Sequence, residues 1–127
     1  MVAVNSQIDP RSDQFKENQT YFEELLNLWR ERMSIAASSG RADLKERHKV
    51  RGKILVRDRI DRLVDPGSAF LELSPMAAWG PYGGDLSSAG IVTGIGIVRE
   101  TSCMIIATDA TVKGGSFFPE PVIKHIR

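Results

Sequence analysis

Residues 89–99, AGIVTGIGIVR, set Ile91, Thr93, Ile95 and Ile97 on one side of an extended strand and Val92, Gly94, Gly96 and Val98 on the other. A strand with so little polar surface has to be covered rather than solvated. Residues Cys103 to Ala107 form a second apolar run after a turn over Glu100 to Ser102, so a hairpin is predicted. Gly94 and Gly96 leave room for bending or for close approach of another chain segment. They are no dinucleotide fingerprint, because the third glycine is missing and the pair lies inside a strand.

The hairpin leads into DATVKGGSFFP, Asp109 to Pro119, and a helical segment is predicted from Val122 to Arg127. Upstream, Phe15, Phe22, Leu25, Leu26, Trp29, Met33 and Ala36 recur at three- and four-residue spacing and predict a long amphipathic helix from Ser12 to Ser38. Thr20 with Glu23 offers a later capped start, but Phe15 already belongs to the stripe and favours Ser12. Such a face packs into its own domain or onto a partner, and the core reading is favoured. A charged helix is expected over Arg41 to Val50, Gly52 interrupts it, and a third follows from Arg57 to Leu63. Asp65-Pro66-Gly67-Ser68 is a turn signal, Phe70 to Leu73 a short strand, and Pro75 to Ser88, with Trp79 and Tyr82, a loop. Residues 1–11 are expected to be a disordered N-terminus, 12–64 a helical segment and 65–127 the start of a strand-rich domain.

The net charge of +1 supplies no global attraction to nucleic acid or membrane, but residues 41–62 hold nine Lys/Arg against four Asp/Glu. That stripe could meet phosphates, or be a solvated helix surface on which Asp43, Glu46, Asp58 and Asp61 pair with bases three or four residues away. It has no aromatics to stack bases, which argues against single-stranded nucleic acid. The single cysteine, Cys103, excludes an internal disulfide and suits a reducing compartment. Its apolar flanks suit a small hydrophobe rather than a nucleophile. No secretory signal, transit peptide or membrane-spanning run is evident, so a soluble cytoplasmic protein is expected. His48 and His125 have no partners at metal-ligand spacing, and no metal is expected.

Gly114 and Gly115 follow a strand and precede a helix, a setting in which backbone N–H groups can meet an anion or a polarised carbonyl. An ordinary turn is the competing reading. Asp109 and Lys113 could likewise serve a site, or be a turn-stabilising carboxylate and a surface lysine.

GKILVRDRIDRLVDPGSAFLELSP, then SAGIVTGIG, then DATVKGGSFFP resembles the carboxyltransferase (beta) subunits of biotin-dependent acyl-CoA carboxylases, over roughly Gln14 to Arg127. SPMAAWGPYGGD and the run from Thr111 to Pro119 look more like the methylcrotonyl-CoA or geranyl-CoA branch than the propionyl-CoA branch. The resemblance implies an α/β (α+β) fold: N-terminal helices, then the first strand-strand-helix unit of a crotonase-like superhelix. It implies a ligase forming C–C bonds, moving a carboxyl group from carboxybiotin to an unsaturated branched acyl-CoA, as in leucine degradation. Biotin would be carried on a partner biotin carboxylase/carrier subunit, coenzyme A would arrive as the thioester, and the full subunit would form a homo-oligomer with a hexameric core.

Backbone amides would hold the charge on the thioester oxygen, each worth about 3 kcal/mol at the transition state. Biotin would take the proton, so no catalytic side chain is expected within this chain. Gly114, Gly115 and Lys113 would border the acyl-CoA pocket, and Lys53, Arg57 and Arg59 are candidates for coenzyme A phosphate contacts. The chain is read as an incomplete N-terminal portion, inactive alone. A short assembly module docking through the Ser12 to Ser38 helix is the rival, with a crotonase-like hydratase or isomerase behind it.

Overall fold

The computed structural model describes residues 6, 8–38, 40–80, 86 and 88–126. Two compact units emerge, residues 1–32 and 33–127. The first is built on helix α1, Asp13–Ala37, which runs on into the second. Ser12 starts it: its hydroxyl oxygen accepts from the Phe15 N–H at 3.2 Å, whereas Thr20 donates back to the Lys16 carbonyl. The apolar stripe expected to be core lies open, with Phe22, Leu25, Leu26 and Trp29 42–62 % exposed and only Ala36 buried. Tyr82 lies outside the described residues, as do the rest of 81–85, residue 87 and most of 1–7.

In the second unit, α2 spans Ala42–Val50 and α3 spans Val56–Leu63. Strands β1, Leu71–Leu73, β2, Ile91–Val98, and β3, Thr101–Thr108, form an antiparallel sheet in the order β1-β2-β3. A short 3-10 turn over Lys113–Gly115 precedes α4, Pro119–Ile126. Val56 and Ile60 of α3 pack on Val92 and Ile105, with Val64, Phe70, Val98, Cys103 and Ala107 around them. Cys103 is therefore a small packing residue. On the opposite face the row Leu71, Ile95 and Met104, in direct register, stays 38–61 % exposed.

Gly94 and Gly96 explain how α3 and Phe70 come so close. A Cβ on Gly94 would lie 2.3 Å from the Phe70 ring and 2.5 Å from the Leu71 carbonyl oxygen, and one on Gly96 would lie 2.8 Å from Val64. The glycines leave a trough in β2 that the aromatic ring fills.

The β2–β3 turn falls at Arg99-Glu100, not at Glu100 to Ser102. Both residues adopt left-handed backbone, φ 49 and 63, as a two-residue type I′ turn requires, a geometry normally left to Asn and Gly. Asp65 makes it tolerable. Its carboxylate accepts the Arg99 and Glu100 N–H groups, each at 2.7 Å, while its own N–H donates to the Ile97 carbonyl at 2.8 Å.

Helix α4 is anchored by Lys124, which is buried and donates to the Ser88 and Ile91 carbonyls at 3.2 and 2.6 Å. Burial lowers its pKa from 10.5 to about 8, against a raising influence from Glu72 and a further lowering one from Arg57. The unfolded chain therefore holds this proton up to a higher pH than the folded one, so folding gains stability as pH rises from about 8 to 10.5.

Two measurements test this packing. Gly94→Ala should lower stability by about 1–3 kcal/mol through overpacking, read as a lower urea midpoint with an unchanged slope. The stability of the parent should rise relative to Lys124→Met between pH 8 and 10.5, by an amount on the order of 3 kcal/mol; a flat difference would mean that Lys124 titrates like a surface amine.

Candidate functional site

Helix α2 ends in a Schellman motif, which turns the chain back on itself. The Gly52 N–H donates to the Lys49 carbonyl at 2.8 Å and the Lys53 N–H to the His48 carbonyl at 3.2 Å, with Gly52 at φ 70. His48 Nε2 lies 3.3 Å from the Ile54 carbonyl oxygen, which can only accept, so this nitrogen carries the proton. Lys53 and His48 thus border one open depression of about 660 Å³, together with Arg59 of α3, Thr108 at the end of β3, and Gly114 and Gly115. No carboxylate occurs among the described residues that line it.

Arg59 is fixed by a bond from its guanidinium to the Thr108 carbonyl at 2.7 Å, which spans 49 residues of sequence and ties α3 to the end of β3. The guanidinium has five N–H groups, so most of its donors remain for a ligand. Lys53 also lines the depression and is exposed.

Arg57 goes elsewhere. Its guanidinium makes a bidentate pair with Glu72 at 2.6 and 3.0 Å and donates to the Ala37 carbonyl at 2.9 Å. Two residues apart on a helix is about 200° of rotation, so Arg57 and Arg59 leave α3 on different sides. The basic stripe is divided accordingly: Arg41 pairs with Asp43, two rather than three or four residues away, and Arg57 serves the fold.

Gly114 and Gly115, at φ 69 and 81, close the depression on the β3 side. They do not act as two converging free amides, because the Gly115 N–H already donates to the Val112 carbonyl at 2.8 Å. A Cβ on Gly114 would meet nothing within 4 Å, so the glycines satisfy the left-handed turn and keep that margin low. Lys113 points its ammonium at the Phe118 ring, 4.1 Å from the centroid. Asp109 is a turn organiser: buried, it accepts from the Thr111 N–H and hydroxyl at 2.9 and 2.6 Å.

Of the six residues singled out from sequence, the structure brings four around one depression: Lys53, Arg59, Gly114 and Gly115. His48 joins them, and the signal for it was the glycine two residues past the helix end. His125 lies against Phe117, with ring centroids 6.4 Å apart. No cluster of three His, Cys, Asp or Glu side chains suited to a metal occurs among the described residues, and no described helix is long and apolar enough to cross a membrane.

Comparison with known proteins adds to this geometry. The chain is 53% identical over 96 residues, 76% of its length, to the biotin-dependent 3-methylcrotonyl-coenzyme A carboxylase beta1 subunit of Mycobacterium tuberculosis, of which it covers 18%. It is 45% identical over 125 residues, 98% of its length, to the probable mitochondrial methylcrotonoyl-CoA carboxylase beta chain of Drosophila melanogaster, covering 22% of that protein. The beta subunit of P. aeruginosa geranyl-CoA carboxylase superposes on 98% of the chain with a TM-score of 0.80 and 28% identity, over 23% of the solved chain. The chain thus spans about a fifth of the length of these relatives. The helices and antiparallel sheet are those of the crotonase-like carboxyltransferase beta subunits. Residues 47–127 match the carboxyl transferase domain, and the chain belongs to that family.

Proposed function

We propose that this chain supplies the coenzyme A phosphate-binding margin of a carboxyltransferase that moves a carboxyl group from carboxybiotin to an unsaturated branched acyl-CoA, 3-methylcrotonyl-CoA. The observation that carries the reading is the depression bounded by Lys53 and Arg59 without an opposing carboxylate among its described residues. Coenzyme A bears a diphosphate and a ribose phosphate, and cations at the end of a strand suit such groups better than a neutral ligand. The acyl preference follows the relatives named for methylcrotonyl-CoA, at 53% and 45% identity, over the geranyl-CoA relative at 28%.

The chain's own residues would bind and orient. Arg59, held by Thr108, presents a fixed fork; Lys53 on its Schellman turn adds an exposed ammonium; the glycine pair lets the ligand pass close to the backbone. Biotin on a partner carrier subunit and assembly into a hexameric core belong to the same proposal. A cytoplasmic setting would rest on the lone Cys103, set against the mitochondrial naming of three relatives. The rival docking module gains from the open face of α1. It loses more, because the geranyl-CoA carboxylase beta subunit matches 98% of the chain, so α1 is no addition to the family fold.

Lys53→Gln and Arg59→Gln should each weaken coenzyme A binding about tenfold in calorimetry, as expected for one charge-assisted hydrogen bond. Pantetheine, which has no phosphate, should be bound alike by parent and variants. Unchanged coenzyme A affinity in the double variant would remove the depression from the site.

A further inference from the structure

We infer that His48 is a third phosphate-contacting group in the depression, and that it makes this contact only by taking up a proton when the ligand binds. The inference rests on the coenzyme A reading above and adds to it a residue and a linkage. His48 borders the same depression as Lys53 and Arg59. Its Nε2 hydrogen is committed to the Ile54 carbonyl, 3.3 Å away. In a neutral ring the other nitrogen, Nδ1, then carries only a lone pair, which a phosphate oxygen would repel.

A proton added at Nδ1 reverses that relation. The ring becomes an imidazolium with a second N–H donor, and the Ile54 bond keeps the ring oriented while it charges. A phosphate monoester carrying close to two negative charges favours the charged ring by direct attraction. On its own helix and turn Lys45 stands one turn before His48 and Arg51 one turn after it, Lys53 and Arg59 border the same depression, and the carboxylates of α2, Asp43 and Glu46, are not among its described lining residues. Lys45 is bonded to the Ser38 carbonyl. Proton and phosphate should therefore enter together, with no carboxylate among the described lining residues to hold the proton beforehand.

The test is calorimetry of coenzyme A binding to the chain in two buffers of different ionisation enthalpy, which counts protons taken up. It is run between pH 7 and 8.5, where the phosphate itself is already largely dianionic. The parent should take up a fraction of a proton and bind about fivefold more tightly at pH 7 than at pH 8.5, the range over which a histidine can change charge. His48→Gln should bind weakly with no uptake, and His48→Lys, with a permanent charge, should restore tight binding without uptake. Circular dichroism is the control that each variant is folded. If His48→Gln binds with the parent's affinity and proton count while Lys53→Gln remains weakened, the His48 inference is overturned and the coenzyme A reading stands. If the parent binds no coenzyme A at all, both fall.

Discussion

The seating of α3 and Phe70 in the glycine trough of β2 is the constraint on which the rest of this structure depends. Gly94 and Gly96 remove two side chains from the sheet face, which lets Val56 and Ile60 reach Val92 and Ile105. Once α3 is seated there, Arg59, adjacent to Ile60, can reach the carbonyl of Thr108 at the end of β3. The same seating sends Arg57 to Glu72, where it neutralises a half-buried carboxylate and closes on the end of α1 through Ala37. Position along one short helix thus decides which arginine is structural and which remains available for a ligand.

Much of this was legible in the sequence, and the misses have physical causes. Period-two alternation identified β2, and three-to-four spacing identified α1 to within a residue at each end, because both patterns are local. The hairpin turn was displaced because nothing about Arg99-Glu100 signals left-handed backbone; Asp65, more than thirty residues earlier, stabilises it. The open stripe of α1 reads as core in sequence because amphipathicity records a preference for cover, not what supplies it. Lys53, Arg57 and Arg59 were grouped by charge, although helical rotation already set Arg57 and Arg59 apart. His48 was weighed only as a metal ligand and set aside, whereas its relation to Lys53 comes from the Schellman turn at Gly52.

Electrostatics in the second unit is divided between two tasks. Buried charge is paired or hydrogen-bonded for stability, as with Arg57–Glu72 and with Lys124, which donates to two carbonyls and whose pKa falls to about 8 as burial removes its hydration. Charge at the depression is left facing solvent, where it is available to an incoming anion and is screened by salt over about 8–10 Å. Asp109 and the glycine turn shape that margin without adding negative charge to the described lining.

The most direct test of the central claim is a crystal structure of the chain with coenzyme A. The account predicts phosphate oxygens within hydrogen-bonding distance of Lys53 Nζ and the Arg59 guanidinium, with the remainder of the ligand passing over Gly114 and Gly115. Coenzyme A bound with its phosphates away from this depression, and Lys53 and Arg59 facing bulk solvent, would contradict it.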